Sequence, residues 1–320
     1  MSRFETYESI YWVFTQLCND HCAHCYNDSG PKGDRLSLDH CLAIVENLPV
    51  RLGRLILSGG EPLTERPTLY AILEAARAKY GAATEIMLQT NGDLFTPEIL
   101  DELLARGVSR IEIASMDRFH KHRGERRAVL ERLFESRGLN GAQTDPLVAR
   151  DTYLTTGKGS YGFWGANEEM WLGGNWARGR ALTNRLWLRD PSHNFCAILS
   201  GARGFLGGTD LPQELCIQLW KINRCCPGTK FPLGDARRDS VSAILDRVAE
   251  HPVFQRLNAG DPPGMGATEG VPHDRATARN AVLQNVCLTC DEFFRDHFDY
   301  TANPALLAAA SESTPSQPAS

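Results

Sequence analysis

Ser9-Ile10-Tyr11-Trp12-Val13-Phe14-Thr15-Gln16-Leu17-Cys18-Asn19-Asp20-His21-Cys22-Ala23-His24-Cys25 is the stretch on which the reading of this chain turns. Residues 9–16 are apolar, aromatic and β-branched in one short run, which is the composition of a buried strand. The loop that leaves this strand carries cysteines spaced C-x3-C-x2-C. Three thiolates on one short loop can face a common centre, and soft sulfur ligands suit zinc or an iron–sulfur cluster. A structural zinc takes four protein ligands, and His21 or His24 could complete that set. Three ligands around a four-iron cluster instead leave one iron open to a substrate or cofactor.

The pattern of buried run and polar exit recurs downstream. Leu55-Ile56-Leu57 is an expected strand ending in Ser58-Gly59-Gly60-Glu61-Pro62, Glu85-Ile86-Met87-Leu88 ends in Gln89-Thr90-Asn91-Gly92, and Arg110 to Ala114 ends in Ser115-Met116-Asp117. Helical patterns alternate with these strands. Ser37 precedes Leu38, Cys41, Leu42, Val45 and Leu48 on one face, and Leu69, Ile72, Leu73 and Ala76 form a second stripe. Thr96 and Pro97 cap a third helix, and Val129, Leu130, Leu133 and Phe134 mark a fourth. Four strand–helix units in succession predict a parallel sheet with right-handed crossovers. One or two further strands are expected between residues 138 and 176. Folds of this kind place chemistry on the loops after the strands' C-terminal ends. The loops at 18–25, 58–62, 89–92 and 115–117 therefore share one face.

The chain has 320 residues, a formal net charge of −5, 42% hydrophobic residues and ten cysteines. Its apolar fraction excludes disorder over most of the length. No run approaches 18 apolar residues, so no membrane partner is expected, and the N-terminus lacks the apolar segment of a secretory signal. Scattered lysines and arginines leave no nucleic-acid footprint. The expected location is the cytoplasm, where thiols stay reduced and clustered cysteines read as metal ligands or catalytic groups. Cys41, alone in a helical apolar stripe, reads as core.

The C-x3-C-x2-C loop, with an aromatic residue (His24) before its last cysteine, resembles the signature of the radical S-adenosylmethionine (SAM) enzymes. Ser58-Gly59-Gly60-Glu61-Pro62 matches that family's GGEP motif, and the resemblance covers roughly residues 8–185. It implies an α/β fold, a partial (β/α)6 TIM-like barrel, and a [4Fe-4S] cluster held by Cys18, Cys22 and Cys25, with SAM chelating the open iron. One electron through the cluster would break a C–S bond of SAM, and the resulting 5′-deoxyadenosyl radical would abstract a substrate hydrogen. The expected SAM site takes in His24, Tyr26, Gly59, Gly60, Glu61 and Pro62. The glycines would admit close backbone approach, and Glu61 would accept from the ammonium of SAM. Ser115 and Asp117 resemble positions that contact ribose or carboxylate, and Gln89 and Asn91 are further candidates. Arg178-Gly179-Arg180-Ala181 resembles a segment that closes the barrel in this family, where Arg180 could reach the SAM carboxylate.

Cys196, Cys216, Cys225, Cys226, Cys287 and Cys290 remain. Their order, with Leu233-Gly234-Asp235, a short helix and a final CxxC, resembles an abbreviated SPASM or twitch domain, a small cysteine-rich auxiliary-cluster domain. That implies a second [4Fe-4S] cluster, with Cys216, Cys226, Cys287 and Cys290 as the favoured ligands and Cys196 and Cys225 in reserve; a zinc site is the alternative. The expected organisation is a core barrel over 1–187, the auxiliary domain over 188–300 and a disordered tail over 301–320.

The expected activity is modification of a small-molecule natural-product intermediate, with an electron donor such as flavodoxin or ferredoxin. A ribosomal-peptide substrate is an alternative, set back because strand one begins too near residue 1 to leave room for a leader-binding domain. Arg224-Cys225-Cys226 suggests another, transfer of SAM's 3-amino-3-carboxypropyl group to a soft acceptor such as arsenite. A zinc-stabilised, non-enzymatic scaffold is the last.

Overall fold

The computed structural model describes residues 2–114, 120, 125–141, 159–163, 176–198, 200–225 and 227–311. The expectations at Ser115, Asp117 and Cys226 lie outside the described residues. Strand β1 (Thr6–Thr15) is buried on both faces, which is why its sequence is a nearly continuous apolar run. Ile10, Trp12 and Phe14 join the main core beneath the helices, whereas Tyr11 and Val13 pack on the opposite face with Ile56 and Cys216. β2 (Arg51–Gly59), β3 (Glu85–Thr90) and β4 (Arg110–Ile113) follow it in parallel register.

The crossover helices fall where the apolar stripes place them. α1 (Leu38–Asn47) starts at Ser37, whose side chain accepts from the His40 amide. α2 (Arg66–Tyr80) stops at Gly81, which has a φ of +65°. α3 (Pro97–Ala105) is capped by Thr96, which accepts from the Ile99 amide, and has proline in its first turn. α4 (Glu125–Glu135) buries Leu130 and Phe134.

Among the described residues, two further strands fall within 138–176: β5 (Asn140–Gly141) and β6 (Ser160–Phe163). β6 pairs parallel with both β4 and β5. β7 (Ser200–Gly204) stands outside the main sheet. β8 (Glu214–Gln218) joins the free edge of β1 in parallel, then turns antiparallel into β9 (Lys221–Asn223) and β10 (Gly234–Asp235). The nine-stranded order is β10-β9-β8-β1-β2-β3-β4-β6-β5, a mostly parallel sheet with two ends, so the barrel is partial.

Two expectations on organisation change. The segment after residue 188 shares the sheet and core of the first part. One hydrophobic cluster runs from Phe4 through Leu215, Ile244 and Phe294 to Leu306. The stretch from 301, expected to be disordered, instead opens with a helix over Pro304–Ser311 that buries Leu306 and Ala309. Its Leu- and Ala-rich start has high helix propensity and an apolar docking residue, whereas the serines and prolines of the last nine residues dominated the compositional reading. Among the described residues no helix is long and apolar enough to cross a membrane.

Candidate active site

The cysteine loop is closed onto the stem from which it leaves. The Gln16 amide donates to Asp34 O at 2.7 Å, the Gly30 amide to Gln16 O at 3.1 Å, and the Cys18 amide to Gly30 O at 3.0 Å. The Gln16 side-chain amide donates to Asn27 O at 2.9 Å. Within this frame the thiols sit at the C-terminal end of β1. The Asp20 amide donates to Cys18 Sγ and the Ser29 amide to Cys25 Sγ, each at 3.4 Å. Burial is the main cause that pushes the Cys18 thiol up to about 12, with the charges of Glu61, Cys25 and Asp20 adding to it. Cys22 is raised by burial, by Asp20 and by the other two cysteines. The loop thus sets three thiols beside one another, two of them already accepting amide N–H bonds, and its burial disfavours the thiolates of Cys18 and Cys22 unless cations offset their charge. That chemistry fits an iron–sulfur cluster.

The GGEP turn is clamped to this loop. The Gly60 amide donates to Thr15 O at 2.7 Å and the Glu61 amide to Leu17 O at 2.8 Å. A Cβ on Gly60 would lie 2.5 Å from Leu17 O and 2.8 Å from Gln16 O, and one on Gly59 would lie 2.8 Å from Thr15 O. The glycines thus let the exits of β1 and β2 meet. Glu61 is held within the turn itself. Its side chain is fully buried and accepts from the Leu63 amide at 3.0 Å, the Thr90 hydroxyl at 2.7 Å and the Asn91 amide at 2.8 Å. Its carboxylate ties the exits of β2 and β3 together, and burial raises it to about 7. Pro62 is buried at the start of a short 3-10 turn over Pro62–Glu65. Asn91 does reach the cysteine loop, donating from its side chain to Asn19 Oδ1 at 2.9 Å.

Below the loop a hydrogen-bonded row crosses the inner face of the sheet. The Tyr26 and Tyr11 hydroxyls are 3.4 Å apart, Tyr11 donates to Ser58 Oγ at 2.9 Å, and Ser58 donates to Gln89 Oε1 at 3.1 Å. The sequence reading missed Tyr11 and Ser58. Their signal was the two-residue alternation that sets both on the inner face. His24 is buried and packs edge-on to His120, with ring centroids 4.9 Å apart.

Arg180 packs against the same loop. It holds the backbone of the cysteine loop: Nε donates to Cys22 O at 2.9 Å, one terminal nitrogen to Ser29 O, and the other pairs with Asp28 at 2.9 Å. Two residues earlier, the buried Arg178 faces the opposite way, donating to Gly228 O at 3.1 Å and Cys287 O at 3.2 Å and pairing with Asp291 at 2.9 Å. Gly179 joins the two at a φ of +49°, and a Cβ there would lie 2.5 Å from Tyr26 O and 2.6 Å from Cys25 O. Gly179→Ala is expected to destabilise the chain by about 2 kcal/mol or more, through both the left-handed backbone and the clash. Urea unfolding checks this; an unchanged midpoint would refute it.

Arg178 opens onto a second group of cysteines. Cys196, Cys225, Cys287 and Cys290 line one pocket together with Arg178, Arg224, Trp176 and Phe195. Desolvation pushes Cys225 up to about 12 and Cys287 up to about 11, while the charge of Arg178 pulls both down and that of Arg224 also lowers Cys225. Cys287 and Cys290 meet the two cysteines held in reserve, Cys196 and Cys225. Cys216 lies on β8 beside Tyr11, packed with Val13 and Ile56 on the inner face. Among the described residues, no three His, Cys, Asp or Glu side chains converge on a single-ion site. Trp176 spans the two groups, 4.7 Å from the Tyr26 ring and 6.1 Å from the Phe195 ring.

Comparison with known proteins bears on this arrangement. The family profile described as the Radical SAM superfamily matches residues 12–135. An AdoMet-dependent heme synthase of Methanosarcina barkeri is 40% identical over 112 residues, 33% of this chain and 30% of that protein. A GTP 3′,8-cyclase of Mesorhizobium japonicum is 31% identical over 119 residues, 33% of this chain and 35% of that protein. The matched segment thus spans about a third of these curated relatives. The crystal structure of BtrN in complex with AdoMet and 2-DOIA superposes with a TM-score of 0.52, at 14% identity, over 81% of this chain and 89% of that one, a likeness of fold.

Proposed function

Taking as premise that residues 12–135 form a radical SAM domain, we propose that the chain reductively cleaves SAM at a [4Fe-4S] cluster held by Cys18, Cys22 and Cys25 to modify a small-molecule intermediate of natural-product synthesis. The observation that carries this reading is the placing of Cys18, Cys22 and Cys25 together on one loop at the C-terminal end of β1, a loop locked by the exits of β2 and β3. When bound, the cluster and SAM supply one-electron cleavage of a sulfonium C–S bond and the hydrogen abstraction that follows.

The chain's own residues do the holding and orienting. Arg180 and Gly179 fix the loop backbone, Glu61 fixes the β2 and β3 exits against it, and Asn91 braces Asn19. The hydroxyl and amide row of Tyr26, Tyr11, Ser58 and Gln89 offers a compact polar surface suited to a small substrate bearing hydroxyl or amino groups.

A second [4Fe-4S] cluster is proposed at Cys196, Cys225, Cys287 and Cys290. Two buried guanidiniums beside four thiols make a site that favours an anionic sulfur assembly. The electron would come from a flavodoxin- or ferredoxin-type donor. Anaerobic reconstitution should give brown protein with about eight irons per chain, four per cluster, and 5′-deoxyadenosine on addition of SAM and reductant. Colourless protein holding two zinc ions and no iron would overturn the reading.

A further inference from the structure

Two arginines border the four-thiol pocket, and their charges are met differently. Arg178 is paired with the Asp291 carboxylate at 2.9 Å. Arg224 is 2% exposed; it donates to Phe231 O at 3.1 Å and to Cys290 Sγ at 3.0 Å, and its guanidinium lies 3.9 Å from the centroid of the Phe294 ring. Among these contacts, only the sulfur can carry a full negative charge. A guanidinium keeps its proton in a protein, so a buried one must be met by an anion or carry a large desolvation penalty. A cubane held by four thiolates is anionic when oxidised and gains a further negative charge when it accepts an electron. A fixed cation donating N–H to one ligand sulfur favours the more negative state.

We propose that Arg224 sets the reduction potential of the second cluster, raising it through its charge and its N–H bond to Cys290, without being needed to hold the iron. This inference rests on the second-cluster reading, and its test separates the two. In full-length protein carrying Cys18→Ala, Cys22→Ala and Cys25→Ala, the four-thiol pocket alone should bind about four irons. Potentiometric titration with dithionite, followed by electron paramagnetic resonance, then reads one midpoint. Arg224→Met keeps an apolar stem over Phe294 and should disfavour reduction about tenfold, a fall of about 59 mV for a one-electron couple. Arg224→Lys keeps the charge but loses the planar fork, and should fall by less.

Absence of iron from the triple-alanine protein would overturn the second cluster itself. Four irons with an unmoved midpoint in Arg224→Met would overturn the role of Arg224 and leave the cluster standing. If Arg224→Met fails to retain iron, Arg224→Lys and Arg224→Gln decide. A midpoint lowered more in the glutamine variant than in the lysine variant supports the inference, and equal or unmoved midpoints overturn it. Loss of iron from all three variants overturns it as well, because Arg224 would then be a requirement for binding.

Discussion

Simultaneous replacement of Cys18, Cys22 and Cys25 by alanine is expected to abolish formation of 5′-deoxyadenosine from SAM and to lower the iron content from about eight to about four per chain. The fold should persist, because the bonds that close the loop are made by main-chain groups alanine retains: Gln16 to Asp34, Cys18 to Gly30, and Gly60 to Thr15. The complementary variant, Cys287→Ala with Cys290→Ala, should remove the other four irons while SAM cleavage continues. Cys216→Ala should remove neither set, because Cys216 packs with Val13 and Ile56 rather than lining the four-thiol pocket. Iron and sulfide counting, with chromatographic assay of 5′-deoxyadenosine, separates these outcomes. Continued 5′-deoxyadenosine formation by the triple variant would overturn the assignment of the loop cysteines.

What could be read from the sequence was whatever lies within one strand and its exit. The run from Ser9 to Gln16, the cysteines nine to sixteen residues beyond its start, and the GGEP turn are all local patterns, and the parallel order of β1 to β4 follows from the alternation of strand and helix. The role of Glu61 was not legible, because two of its partners, Thr90 and Asn91, arrive from β3 some thirty residues later. The grouping of Cys196 and Cys225 with Cys287 and Cys290 was not legible for the same reason. Spacing made Cys216 as good a ligand as Cys196, and only the pairing of β8 with β1 puts Cys216 beside Tyr11. Leu215-Cys216-Ile217 had the composition of a buried strand, and that was the available warning. Arg180 was read as a partner of the SAM carboxylate because Arg178-Gly179-Arg180-Ala181 resembles a barrel-closing segment of the radical SAM family. Its three carbonyl and carboxylate partners lie about 150 residues upstream, on the cysteine loop.

Glu61 carries the second large effect, and its pH dependence has the opposite sense to that of a salt-bridged carboxylate. Burial raises it to about 7, against an ordinary glutamate value of 4.5. Between those values the folded chain retains a proton that the unfolded chain has released, so stability falls as pH rises, by about 1.4 kcal/mol per unit and about 3 kcal/mol across the window. Below 4.5 both states are protonated and above 7 both are ionised, so the dependence is confined to that interval. Glu61→Gln removes the titration but sets an amide N–H₂ against one of the N–H donors that the carboxylate accepts, a mismatch of about 1–3 kcal/mol. Urea unfolding of iron-free, full-length protein at a series of pH values should therefore show a shallower fall for the glutamine variant than for the parent between 4.5 and 7. Glu61→Ala should be worse at every pH, by about 3 kcal/mol or more, because the Leu63 and Asn91 amides and the Thr90 hydroxyl all lose their acceptor inside the protein. Parallel stability curves for the parent and Glu61→Gln would mean that Glu61 stays ionised throughout this range, held by its three donors despite its burial.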